Sequence, residues 1–412
     1  MRKSIYWVIL VVLICAGNLS ADTYYVDDGN GNDDWNGTSP VYVSGDTGPF
    51  KTIGQGVQRT DDGDTVIVAD GLYHGEENLQ LYFYHESVTL KSANGSDECV
   101  LDFYGTCNWN FDSDVNTLIS GFSIKGITQD GIYLTNQSRV EFEKCIFAYN
   151  TLGNDESLML CNDNAFVKLN NCVFKNNLVG ENGLIRLTGQ VRLEVSDSEI
   201  IENMGYQNFY AVFCINESDA TIINTSINSN WVYESNGNVT GITGKEDSNV
   251  AVDNCEIKGN CGEYVTGVYF SDSAQVIVKN SEISGNLGQK SARGLYGEGE
   301  FSKGNVENCI ISGNTTAGIV VYDCNSLEVT NCLISNHSYN GVFIGLRVGT
   351  AKIKNCTIVN NRNDYDGWAI NSENYFTSVE NCIIKDNGNE QINGKDIVVS
   401  YSDICDYTDH IW

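Results

Sequence analysis

The chain has 412 residues carrying 24 basic and 54 acidic side chains, a formal charge of −30 that repels phosphate backbones and excludes nucleic acid as a partner. Its length exceeds what one globular core supports, yet with 2 prolines and no segment rich in proline, glycine and serine it offers no linker at which to divide into domains. A repeat architecture reconciles the two.

Arg2 and Lys3 precede an apolar run, Ile5 to Ile14, and then small residues ending Leu19-Ser20-Ala21. This is the pattern of a cleavable export signal, with the cut expected after Ala21. The run is too short to span a bilayer, and no later stretch reaches the roughly 20 apolar residues that spanning takes. Lipid attachment at Cys15 is not expected, because bulky Ile14 stands where such sites want a small residue. The sequence is therefore read as secreted or held at the cell surface, with residues 1–21 as signal, 22–75 as an N-terminal cap with the first coil, and 76–412 as the repeat body. Loss of Arg2 and Lys3 makes the remainder still more acidic, leaving carboxylates free for divalent or organic cations.

The mature start reads as a strand, Tyr24-Tyr25-Val26, followed by a loop rich in glycine, asparagine and aspartate. Asp27, Asp28, Asp33 and Asp34 give that loop the oxygen density of a calcium site, although the terminal Glu of an EF-hand loop is missing. Calcium is the one cofactor suggested. A short helix from about Thr52 to Gln58 and a first coil through Gly63–Tyr73 come next, a cap over strand edges that an open solenoid would leave unpaired.

From there a motif returns to the C-terminus: Lys144-Cys145-Ile146-Phe147-Ala148-Tyr149-Asn150 reappears as Asn171-Cys172-Val173-Phe174-Lys175-Asn176-Asn177 and again from Asn254 to Asn260. Its second position is Cys145, Cys172, Ser198, Thr225, Cys255, Ser281, Cys309, Cys332, Cys356 and Cys382, at intervals of 27, 26, 27, 30, 26, 28, 23, 24 and 26. Two residues on, the side chain is always Phe or Ile, which marks a buried face. Five residues on it is Asn, except at His337. Asn there suits a left-handed turn and can bond its amide to the Asn one coil away, forming a ladder. Two further alternating runs, such as Ile132-Tyr133-Leu134 and Val140-Glu141-Phe142, complete each period. The expected fold is all-β: a right-handed parallel β-helix with three strands per coil and roughly eleven or twelve coils at about 4.8 Å each.

These features together resemble the pectate-lyase-like right-handed β-helix superfamily, in which an entry strand, a Gly/Asn-rich loop and a capping helix lead into the first coil. The resemblance is strongest over residues 24–73 and continues as periodicity through the rest of the chain. It implies an extracellular polysaccharide as partner, but the superfamily holds lyases, hydrolases, epimerases, tailspikes and adhesins, so fold alone chooses no chemistry. The Asn-Thr-Asp, Asp-Asp and Gly-His-Gly set of its hydrolases is not found at a suitable spacing. The Asp-Pro-His-Glu segment of its epimerases is excluded by prolines standing only at 40 and 49. Lyase chemistry needs a base beside the uronate and a cation to neutralise its carboxylate. The local mixtures that could supply them are Lys290, Arg293, Glu298 and Glu300 in the enlarged coil between Ser281 and Cys309, and Asp364, Asp366 and Trp368 after Asn361.

If Ile132 and Leu134 point inward, Tyr133 points out, and the equivalent outward positions are Arg186, Phe213, Tyr269, Tyr296 and Phe343. Rings so placed form a stripe suited to stacking on successive sugars. Of the cysteines, the seven at the motif position are expected to stack as inward thiols. Cys99, Cys107, Cys161, Cys214, Cys261, Cys324 and Cys405 lie off that column, with room for one or two disulfides among them. A zinc site is not expected with 4 histidines and no Cys-x-x-Cys. Two functions stay open: engagement of a polysaccharide, by binding or lyase-type cleavage, and a surface rod that presents loops to a partner without chemistry.

Overall fold

The structure, a computed structural model, describes residues 21–405 apart from 85–86, 106–107, 130, 235, 363–366, 375 and 389. The signal segment and the acids Asp364 and Asp366 therefore lie outside the described residues, as does Cys107.

The coils stack into three parallel sheets of 15, 16 and 14 strands, the 16 including three two-residue strands (Leu178–Val179, Met204–Gly205 and Trp231–Val232) beside the main order. We call them sheet A (containing Arg139–Glu143), sheet B (Ile132–Leu134) and sheet C (Ile146–Ala148). The chain passes from B to A to C and then climbs one rung, as a right-handed β-solenoid. About twelve turns, as the repeat predicts, at about 4.8 Å each make a rod of roughly 60 Å. No helix is long and apolar enough to cross a membrane among the described residues.

Alternation along every strand fills the interior. On sheet C the Phe or Ile of the motif stacks from Phe147 and Phe174 to Ile358 and Ile384, each with no exposed surface. The first two rings lie 4.6 Å apart and 8° from parallel. The motif cysteines are buried in one column: Cys172 N–H donates to Ser198 Oγ at 3.0 Å, Cys255 N–H to Ser281 Oγ at 3.1 Å, and Cys356 N–H to Cys382 Sγ at 3.5 Å. Ser and Thr substitute for Cys there because only a small side chain fits between rungs. All described cysteines are free thiols, including the off-column Cys99, Cys161, Cys214 and Cys324 inside and Cys261 and Cys405 at the surface; the disulfides allowed for by the cysteine count do not form among them. Burial pushes the Cys172, Cys255 and Cys324 thiols up to about 11.

The asparagine ladder is continuous. Asn150 Nδ2 donates to Asn177 Oδ1 at 2.8 Å, Asn177 to Asn203 at 2.8 Å, Asn203 to Asn230 at 3.0 Å, and so on to Asn314. His337 keeps the chain intact by accepting from Asn314 N–H through Nδ1 (3.2 Å) while its own N–H donates to Asn361 Oδ1 (3.2 Å). One expectation is corrected here. The left-handed backbone belongs to the residue just before each ladder Asn, including Tyr149 (φ 58°), Asn176 (φ 55°) and Glu202 (φ 56°), not to the ladder Asn. The ladder side chain is inward and fully bonded, so its amide, not its tolerance of positive φ, is what the position selects.

The cap forms as expected, with a helix over Ile53–Gln58 whose N-cap Thr52 accepts from Gln55 N–H. A second helical turn, Glu76–Leu79, was not foreseen in the sequence; its Asn78 Oδ1 accepts from Ile53 N–H at 2.9 Å and ties the two turns together. Sheet B departs most from uniformity. Its strands lengthen from 3 residues at Ile132–Leu134 to 8 at Asn208–Ile215, 10 at Cys261–Phe270 and 11 at Leu287–Gly297, before returning to 5 at Ala317–Val321. The long 30- and 28-residue intervals of the repeat are spent here, and they widen one face of the rod.

Candidate carbohydrate-binding face

The six outward residues expected from the pattern do share one column on sheet B. The register runs Tyr133, Leu160, Arg186, Phe213, Thr243, Tyr269, Tyr296, Val320 and Phe343 on successive rungs. Leu160, Thr243 and Val320 interrupt the rings. Because strand residues two apart share a face, the next outward column passes through Lys245, Ser271, Glu298 and Tyr322. That second column, not singled out in the sequence except at Glu298, completes the site.

Tyr269 and Tyr296 stack at 5.5 Å, and both phenols donate to one carboxylate: Tyr269 Oη to Glu298 Oε1 at 2.5 Å and Tyr296 Oη to Glu298 Oε2 at 2.7 Å. Burial and the Glu298 bonds push both phenol pKa values upward, so the hydroxyls stay protonated donors. Arg293 lies 4.4 Å over the Tyr296 ring, and Tyr322 meets Tyr296 edge-on at 6.3 Å and Phe343 at 5.2 Å. The Tyr269 and Tyr296 faces are thus spent on one another and on the cations Lys245 and Arg293, and Phe213 stacks on Tyr210 at 4.9 Å. This departs from a stripe of open faces.

Beside this wall opens a cleft of about 750 Å³ lined by Lys245, Tyr269, Ser271, Asp272, Glu298, Glu300, Asp323 and Arg347. Arg347 clamps Asp323 with two bonds, Nε to Oδ1 at 2.7 Å and Nη2 to Oδ2 at 2.8 Å. Four carboxylates face two cations, so the lining is rich in acceptors for hydroxyl donors. Lys245 Nζ sits 5.9 Å from the Phe213 centroid and 5.2 Å from that of Tyr269.

The lyase mixture divides. Glu298 and Glu300 enter the cleft and Arg293 backs its wall, but Lys290 is placed elsewhere: it pairs with buried Glu263 and lies over Tyr264, 5.5 Å from the ring. Trp368 packs edge-on to Tyr339 on a later rung. Two acids of the entry loop, Asp27 and Asp33, bond within the cap. Asp27 Oδ1 accepts from Gly29 and Asn30 N–H, and Asp33 Oδ1 accepts from Lys51 (2.8 Å) and Thr52 (2.9 Å) N–H. Among the described residues no three His, Cys, Asp or Glu side chains converge as a metal site.

The chain is similar to the A-module of the Azotobacter vinelandii mannuronan C-5 epimerase AlgE6, at 12% identity over 84% of this chain and 91% of that one, with a TM-score of 0.47. It is similar to pectate lyase Pel9A at 13% identity, over 96% and 84% of the two chains, with a TM-score of 0.41. A mutant form of the periplasmic alginate epimerase AlgG aligns at 12% identity over 83% and 77%, with a TM-score of 0.51. At such identities the likeness concerns the fold. No curated protein matches the sequence. The profile of the right-handed β-helix region matches residues 158–296 and 240–404, more than half the chain, in agreement with the stacked rungs described above. The chain belongs to the right-handed β-helix family.

Proposed function

We propose that this protein acts outside the cytoplasm by binding an extended polysaccharide along the outward face of sheet B, with the cleft beside Tyr269 and Tyr296 as the central contact. The observation that carries the reading is the anchoring of two stacked tyrosines on one carboxylate, which makes a rigid aromatic wall against a cleft of acceptors. Sugars present hydroxyls around an apolar ring, and such a wall with convergent carboxylates matches both parts. The cleft volume lies within the range usual for small-ligand sites, and the face continues along the rod on either side. The N-terminal export pattern agrees with an extracellular substrate. Binding is favoured over cleavage because, of the two candidate bases, Lys290 is tied to Glu263 and Arg293 lies over the Tyr296 ring.

Affinity electrophoresis against alginate, polygalacturonate and xylan tests the proposal. Retention by at least one, weakened at least about tenfold by Tyr296→Ala and severalfold by Glu298→Gln, is the expected result. Loss of retention by neither variant, or no retention at all, overturns it. New ultraviolet absorbance from an unsaturated product would assign cleavage to the same face.

A further inference from the structure

The ring column has two gaps near the cleft, and both are filled from the column two residues away. Above Val320 the filler is the Tyr322 ring, wedged between Tyr296 and Phe343. Above Thr243 the filler is the Lys245 ammonium, between Phe213 and Tyr269. The two fillers differ in kind. The tyrosine ring packs edge-on against Tyr296 and tilted against Phe343, whereas an ammonium on a four-carbon stem is strongly hydrated and readily re-solvated. Lys245 makes no ion pair among the described residues and rests against the Phe213 and Tyr269 rings, Phe213 being stacked in turn on Tyr210 at 4.9 Å with Arg186 at 5.2 Å. Beneath it, the Thr243 hydroxyl is fully buried and has no hydrogen-bond partner.

Resting on the binding reading above, we propose that the gap between Phe213 and Tyr269 is a sugar-ring subsite that Lys245 keeps closed until ligand displaces it. Two rungs separate the flanking rings by about 9.6 Å, so a ring inserted midway lies about 4.8 Å from each, within ordinary stacking distance. The axial C–H groups of a pyranose carry partial positive charge and replace the ammonium against the Tyr269 face and the accessible part of the Phe213 ring. A sugar hydroxyl supplies the partner that Thr243 lacks. Displaced Lys245 moves toward the cleft it already lines, where Asp272 and Glu300 receive its charge. The subsite therefore selects a pyranose narrow enough to enter edge-first, and the affinity of the wild type is reduced by the fraction of time the slot is closed.

The test uses the full mature chain and hexamers of galacturonate, mannuronate and xylose, with titration calorimetry on wild type, Lys245→Ala, Lys245→Tyr, and Lys245→Ala combined with Thr243→Val. Removing the plug should tighten binding roughly tenfold, as expected if the slot is open about a tenth of the time. Lys245→Tyr copies the Tyr322 arrangement and should weaken binding severalfold below wild type, and the added Thr243→Val should cancel most of the gain. If wild type binds and Tyr296→Ala weakens it, yet Lys245→Ala binds no tighter, the subsite is wrong and the face reading survives. If neither wild type nor Lys245→Ala binds any hexamer, both fall. Binding by Lys245→Ala alone would support the slot directly.

Discussion

Individual ladder positions concentrate the energetics. Asn230 Oδ1 accepts from Asn203 N–H and Nδ2 at 3.0 Å, while Asn230 Nδ2 donates to Ile200 O and Asn260 Oδ1 at 3.0 Å. Truncation strands several fully buried groups, so Asn230→Ala should cost about 2–5 kcal/mol in urea unfolding. Asn249→Ala, which removes an exposed bond to Asp219 at a residue without left-handed backbone, should cost under about 1 kcal/mol. A smaller difference between the two would contradict the ladder's role. His337 makes the same ladder sensitive to acid. Burial lowers its pKa from 6.5 to about 4, and neutral Nδ1 must accept from Asn314 N–H. With the folded value below the unfolded one, the unfolded chain binds more protons between them, so stability is whole above about pH 6.5 and falls as pH drops toward 4. The loss from this one group reaches about 3 kcal/mol. His337→Asn should remove that part of the acid slope, read as melting temperature against pH; an unchanged slope would refute the assignment. Each ladder residue was legible from its spacing, but its inward bonding and the displacement of the left-handed turn by one residue needed neighbouring rungs in place.

Among the elements, the cap and the widened part of sheet B were read unequally. The first helix carries local signals: Thr52 as N-cap and Gly56, whose Cα lies so near Val26 and Val66 that a Cβ would come within 3.0 Å of both. The second turn, Glu76–Leu79, has no side-chain cap and is held by Asn78, a contact 25 residues distant that no local pattern announces. Asp33 joins loop to helix by accepting from Lys51 N–H, Thr52 N–H and Thr52 Oγ1. Asp33→Ala should therefore lower stability by about 1–3 kcal/mol whether or not calcium is present. Dependence of that loss on calcium, in melts with and without chelator, would instead restore the loop as a cation site. In sheet B the pattern located Phe213, Tyr269 and Tyr296, and the period of two would have located Lys245 and Tyr322 had it been extended along the same strands. The ring orientation was not legible, since stacking between rungs sets it and sequence spacing does not.

Considered as one molecule, the rod is a sum of rungs that each bury apolar surface only against their neighbours. Excision of residues 145–171, one full 27-residue period away from the cleft, should leave a folded shorter rod with its ladder in phase, whereas excision of about half a period should not fold. Circular dichroism and the radius of gyration check this, and equal tolerance of both deletions would rule out rung-by-rung stacking. The surface ion pairs between rungs, such as Lys168–Glu141 at 2.7 Å and Lys279–Glu307 at 3.0 Å, are half-buried, still reached by solvent, and contribute little beyond register. By itself the sequence determined the solenoid, its three-strand period, the cysteine column and the asparagine ladder, because each repeats and a one-residue slip would turn its buried face to water. Only the tertiary structure decided which charges meet the rings. Lys245, Glu298 and Arg347 come from separate coils, and Lys290 turns away to a buried acid; such contacts depend on loop length and rung-to-rung stacking, which no periodicity encodes.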